Sequence, residues 1–236
     1  MRPAAVAALS LVSASLFAVG AAPGGGPTPP LPARMADTGG GSQLITAVAP
    51  KPGSTSGTVT WWGKRNGQWV KAGSAAARFG AKGLVEGTAR RQGTNTTPTG
   101  LYALPYAFGI KGAPSGTTYR YRAVRQNSWW CQDNDSRRYN RWVEPRPADC
   151  RAAESERLIS YARQYAYAFV IGFNYAEPVR GRGAGIFLHV NGSGATAGCV
   201  SVPADAMRRI LRWAEPEKRP HIAIGTRDGR TVITHY

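Results

Sequence analysis

The chain has 236 residues, with 30 Lys and Arg against 13 Asp and Glu, a net charge of +17, and three cysteines. That length holds one domain with terminal additions, and no stretch after the N-terminus is apolar and long enough to span a bilayer. The basic balance favours polyanionic partners, yet no nucleic-acid-binding module is recognisable, so no nucleic-acid partner is expected. The plainer alternative is that the charge only keeps the chain soluble.

Residues 1–22 read as a secretory signal peptide, with Arg2, a small-apolar run over 4–19 and a small-residue cleavage site near Val19-Gly20-Ala21. Residues 23–42, rich in Pro, Gly and Thr, read as a flexible linker, and the folded domain is expected over 43–236. It opens with a strand at 43–49. Next comes a hairpin of β-formers at 58–63 and 67–71 around Asn66-Gly67, the strongest short-range hairpin signal in the chain. Its tryptophans read as sheet packing ahead of sugar platforms. Short β-like pieces follow at 101–108 and 117–125. A long polar segment over 128–150 then carries Trp129-Trp130, Asp133-Asn134-Asp135 and Tyr139-Asn140-Arg141-Trp142. Its acidic residues are consecutive, without the spacing, glycine and distal Glu of a calcium loop.

Apolar residues at helical spacing (Leu158, Ile159, Ala162, Tyr165, Ala166) predict a helix over 153–167, and a buried strand is predicted at 168–172. A second apolar run, Ile186-Phe187-Leu188, ends at His189. A glycine-rich loop leads to Cys199 and a short strand with Val200 and Val202, and Pro203 starts a second helix to 214. Strands at 222–225 and 231–234 close the pattern, with His221 and His235 read as structural. About ten strands and two helices give an α+β domain, predominantly β, expected as a β-sandwich or partly closed barrel. No metal site follows from three His and three Cys at these spacings, and no cofactor is implied.

In an exported chain two of three cysteines pair and the third is free, intermolecular or reactive. Cys131 and Cys150 bracket the polar segment and are assigned as the disulfide. Closing a loop of about 20 residues contributes roughly 3 kcal/mol. Cys199 is then the free thiol. A strand-end His and a Cys ten positions later can face each other across the loop. Imidazole beside thiol is the minimum arrangement for a nucleophilic cysteine, and the amides of Gly198 and Cys199 are candidate oxyanion donors. Such a pair predicts a thiol ionised by its neighbour and alkylated quickly near neutral pH. Asn191, Ser193 or a backbone carbonyl is left to orient the imidazole. The bland alternative is a buried hydrophobic cysteine and a satisfied structural histidine.

Phe187-Leu188-His189-Val190 followed by Thr196-Ala197-Gly198-Cys199-Val200 resembles the signature of the L,D-transpeptidase catalytic domain, the YkuD-type fold. Thr97-Pro98-Thr99-Gly100-Leu101-Tyr102 is similar to an upstream segment of the same family. The resemblance covers residues 43–236. It departs at Ala197, where the family has His, and in the short His–Cys spacing. It implies a bacterial wall enzyme that attacks peptidoglycan stem peptides. Cys199 would form a thioester, expelling a terminal D-residue, and a second stem's amine would resolve it into a cross-link. His189 would be the base, and Thr196, Asn191, Ser193, Asn174 and Tyr175 the substrate contacts. Stem peptides and anionic wall polymers are the implied partners. The alternatives are hydrolysis of the same thioester, an L,D-carboxypeptidase, or a basic wall-binding domain without chemistry.

Overall fold

The structure is a computed structural model that describes Met1 and residues 28–227. The expected signal peptide, the strand at 231–234 and His235 lie outside the described residues, Met1 excepted. Among the described residues no helix is long and apolar enough to cross a membrane.

The strands are β1 (Gln43–Ala49), β2 (Ser56–Arg65), β3 (Gln68–Arg78), β4 (Leu84–Glu86), β5 (Thr97–Ala103), β6 (Ala107–Gly109) and β7 (Tyr121–Ala123). They continue as β8 (Trp129–Cys131), β9 (Arg141–Val143), β10 (Glu156–Arg157), β11 (Ala168–Val170), β12 (Phe187–Val190) and β13 (Val200–Val202). Helix α1 (Ala204–Trp213) and β14 (His221–Thr226) complete the order. Eleven strands form one sheet in the order β4-β5-β14-β1-β2-β3-β13-β12-β11-β6-β7, and β10-β8-β9 form a small second sheet. The large sheet does not close into a barrel. It curves enough that Leu84 near one edge and Ala107 near the other enter the same core cluster.

Local chemistry accounts for the elements that set this frame. Asn66 and Gly67 both adopt positive φ, 50° and 78°, the two-residue turn whose twist matches the hairpin β2–β3. Helix α1 buries Ala206, Met207, Ile210 and Leu211 at three- and four-residue spacing against Leu188, Val190, Val200 and Val202. The opposite face of β12 carries Phe187, whose ring meets Phe108 at 5.1 Å, Trp130 at 4.9 Å and Tyr165 at 5.5 Å, all edge to face. The hairpin tryptophans Trp61 and Trp69 pack as expected, both buried, and Trp130 of β8 is almost fully buried as well.

Two expectations need correction. The segment 153–167 is not a helix, so α1 is the one α-helix among the described residues. Glu156 and Arg157 instead pair with Trp130 and Trp129 of β8, and the Leu158 amide donates to Ser128 O at 3.0 Å. With those donors committed to a neighbouring strand no α-helical ladder can run through, and only short 3₁₀ turns remain on either side. The folded part also starts before residue 43. Leu31–Arg34 form a 3₁₀ turn, and Leu31 and Met35 pack against the cluster of Leu44, Trp69 and Ala223.

The polar segment 128–150 is an ordered flap. Cys131 and Cys150 are disulfide-bonded. The Arg151 side chain holds buried Asp133 through two bonds, 2.7 and 2.6 Å, which keep its carboxyl well below the usual carboxylate range. Buried Asn140 fastens the flap to the main sheet. Its Oδ1 accepts from Trp130 Nε1 (2.9 Å) and from the Gly185 amide (3.0 Å), and its Nδ2 donates to the carbonyls of Phe173 and Asn174.

Candidate active site

Strands β12 and β13 run parallel, with Leu188 opposite Val200, His189 opposite Ser201 and Val190 opposite Val202. Side chains alternate faces along each strand, so Leu188, Val190, Val200 and Val202 turn toward α1 while Phe187 and His189 turn the other way. Cys199 directly precedes β13 and packs with Phe187, which puts its thiol on the side of His189. The two residues line one cavity of about 210 Å³, together with Glu156, Tyr161, Gln164, Tyr165, Ser193 and Thr196.

His189 is 6% exposed, and its Nδ1 lies 2.8 Å from the Val190 carbonyl. A carbonyl only accepts, so Nδ1 carries the proton and Nε2 is left as the basic nitrogen. The orienting group is therefore a backbone carbonyl, one of the options the sequence left open. The imidazole meets the ring of Tyr165 edge to face at 5.6 Å. Burial pushes its pKa down to about 4, against the opposing bond to Val190, so it is neutral at pH 7.

The Cys199 thiol donates to Gly185 O at 3.4 Å and accepts from the Phe187 amide at 3.4 Å. Burial pushes it up to about 12, helped by the nearby charge of Glu156, while the Phe187 amide and Arg90 work the other way. The resting pair is thus neutral imidazole and neutral thiol. This differs from the ionised, fast-reacting thiol expected from residue types alone, because neither group is hydrated enough to hold a charge.

The turn delivering Cys199 is pinned from three sides. Thr196 Oγ1 donates to the Cys199 carbonyl at 2.6 Å and accepts from the Gly198 amide at 3.1 Å. Thr97 Oγ1 donates to the same carbonyl at 3.3 Å, which ties the Thr97-Pro98-Thr99-Gly100 segment to the cysteine. The Thr196 amide and carbonyl bond to Phe79 O and the Ala81 amide. Gly198 has φ 141°, and a Cβ there would lie 2.8 Å from Arg90 Nη2 and 2.9 Å from Thr96 O, so only glycine fits. The Gly198 amide is thus occupied at rest, and an oxyanion would have to compete with Thr196 for it.

The remaining expected contacts divide. Ser193 and Thr196 line the cavity, whereas Asn191 accepts from Ser201 Oγ at 2.8 Å and lines a neighbouring pocket. Asn174 and Tyr175 are not in the wall of the cysteine cavity. Asn174 spends its amide on Val179 and Gly183, closing its own loop, and Tyr175 stacks on Trp130 at 6.2 Å.

Sequence reasoning missed two groups at the site. Glu156 is the one carboxyl among the described residues lining the cavity, and it accepts a 2.5 Å bond from Tyr165. Burial raises its pKa, while Tyr165 and Gln132 hold it down. Arg90, 4% exposed, donates to the carbonyls of Thr96 (2.9 Å) and Arg182 (3.2 Å). Among the described residues no carboxylate forms an ion pair with it, and its charge favours the Cys199 thiolate. A charged residue beside an apolar run was the available signal for Glu156, but it read equally well as a helix front.

The family described as the L,D-transpeptidase catalytic domain (YkuD) matches residues 54–233. No curated protein matches. Among solved structures, that of Bdellovibrio bacteriovorus Bd1075 is similar at a TM-score of 0.41 and 16% identity, over 80% of this chain and 50% of that one. The chain therefore spans about half the length of that protein.

Proposed function

Since this chain belongs to the L,D-transpeptidase catalytic-domain family, we propose that it is an acyltransferase of peptidoglycan stem peptides that uses Cys199 as nucleophile and His189 as base. The observation that carries this reading is the shared cavity, where a thiol and an imidazole with a free basic nitrogen project from one face of two adjacent strands.

The resting neutrality of both groups defines the order of events. Substrate enters, and the thiol proton passes to His189 Nε2 as Sγ bonds to the scissile carbonyl carbon, so no thiolate has to exist beforehand in the buried site. The tetrahedral oxyanion is met by the Cys199 amide, with the Gly198 amide available once it leaves Thr196. Collapse breaks the C–N bond, and the imidazolium returns its proton to the leaving amine. The thioester is then attacked by a second stem's amine, which arrives as an ammonium ion. The cation's approach favours the ionised form of Glu156 in the cavity wall, which accepts one of its protons. The nitrogen bonds to the thioester carbonyl carbon and the C–Sγ bond breaks. The nitrogen's second proton passes through His189 Nε2 to Sγ, restoring the thiol. This carboxyl favours an amine over water as the second substrate, and hence transpeptidation over hydrolysis.

The same reading has the chain exported and wall-associated, with residues 1–22 as the leader and the catalytic domain following from about residue 31. The leader-like composition and the Cys131–Cys150 bridge support it. Mass spectrometry after incubation with a carbapenem tests the chemistry. A covalent adduct on the native protein, absent in Cys199→Ser, is the expected result, and no adduct on either would leave a wall-binding domain without chemistry.

A further inference from the structure

A second cavity, of about 390 Å³, adjoins the catalytic one. Arg78, Lys111, Arg163 and Arg208 line it, and none of the described residues in its wall is acidic. Gly192 belongs to the walls of both cavities, and Arg163 is followed directly by Gln164, which faces the cysteine side. Arg78 couples them further, donating to Gly192 O at 2.9 Å and Gly194 O at 3.3 Å within the loop that leads to Cys199.

Helix α1 also begins at this hollow. Pro203 and Ala204 are in its wall, Pro203 supplies no capping side chain, and the first-turn amides have no acceptor within the helix. The one acid of that turn, Asp205, is engaged by Arg209 at 3.0 Å and is not part of the wall. Four cations around one concavity repel one another, and their approach is relieved when an anion sits between them. A basic surface serving solubility alone has no reason to gather them in a hollow that shares a wall residue with the Cys199 cavity.

We propose that this basic pocket binds the free terminal carboxylate of the peptide whose carbonyl is attacked by Cys199. The inference rests on the acyl-transfer reading above. An enzyme that cuts near the end of a peptide must measure from that end. A fixed positive pocket across the Gly192 rim from the nucleophile's cavity does so, since each peptide residue reaches only about 3.3–3.6 Å. A terminal carboxylate also separates a free stem from one whose end is already joined to another chain.

The test uses full-length Cys199→Ala protein, which cannot turn substrate over, and a short peptide ending in a D-residue, as free acid and as C-terminal amide. Calorimetry at low salt should show the acid binding on the order of tenfold more tightly than the amide. In the Arg163→Gln/Arg208→Gln background, with thermal unfolding unchanged, acid and amide should bind alike. Inorganic phosphate should displace the acid and leave the amide in place. Equal binding of acid and amide, binding of neither, or a preference that survives the double substitution overturns the pocket. The carbapenem experiment is independent of these arms. Carboxylate preference without any adduct would retain the pocket and discard the acyl-transfer chemistry, and an adduct without preference would do the reverse.

Discussion

Tyr165 donates a 2.5 Å hydrogen bond to Glu156, and the same tyrosine ring packs edge to face on His189. The carboxyl is thereby fixed beside the thiol, whose ionisation it opposes, while its own burial favours the neutral form. On the acyl-transfer reading, a cation that enters later would draw it into its ionised form. Glu156→Gln keeps an acceptor for the Tyr165 hydroxyl and removes the ionisable carboxyl. Thioester formation should persist, while the ratio of amine transfer to hydrolysis falls by about 10²–10⁴-fold, the scale of one general base. The thiol should ionise at lower pH, as its second-largest raising influence is gone. Product ratios by chromatography check the first and alkylation against pH the second. An unchanged ratio would confine Glu156 to positioning Tyr165.

Iodoacetamide should label Cys199 and neither of the other cysteines in the unreduced protein. With the thiol pushed up to about 12 and 8% exposed, labelling near pH 7 should be slower than that of a free cysteine, which ionises near pH ~8.5. The rate should still be climbing above pH 9. A plateau near neutrality would mean that an ion pair exists at rest.

His189→Ala should lower turnover by about 10²–10⁴-fold. It should also change the response to acid. The folded-state pKa of about 4 lies below the ordinary value, so the unfolded chain binds more protons between the two. The contribution of neutral His189 is complete above pH ~6.5 and is lost as pH falls toward 4, by about 3 kcal/mol. Melting temperature against pH should therefore fall more steeply in the native protein than in the variant. Parallel curves would remove the buried neutral imidazole.

Asn140→Asp conserves shape but turns the two donors toward Phe173 and Asn174 into acceptors facing carbonyls. A loss of about 2–4 kcal/mol in denaturant unfolding is expected, since buried carbonyls lose partners and a charge is buried. Asn140 also holds the Gly185 amide, and Gly185 O holds the thiol. Turnover at temperatures where the variant stays folded should therefore drop as well. Full activity there would mean that the thiol is placed independently of the flap.

Much of this arrangement was legible from residues alone. An apolar run ending in His, a glycine turn, and a cysteine leading a second run dictate two adjacent strands. The Asn66-Gly67 turn and the spacing of Met207, Ile210 and Leu211 are equally local signals. What stayed hidden depends on distant partners. Leu158, Tyr165 and Ala166 repeat at helical spacing, yet β8 claims the backbone at 156–158, and nothing nearby in sequence announces it. Glu156 faces the cysteine only as a result of that pairing. The burial that makes His189 and Cys199 neutral likewise comes from aromatics contributed by β6, β8 and the 3₁₀ turn at 164–166.

The parallel register of β12 and β13 separates what in this site is free to vary from what is not. Residues 192–195 bulge between the strands, and their number can change while His189 and Cys199 keep their faces. A single residue inserted within either strand would swing one of the pair through the sheet toward α1. Loop length is thus a dial for what the cleft admits, and strand phase is a switch with one working position.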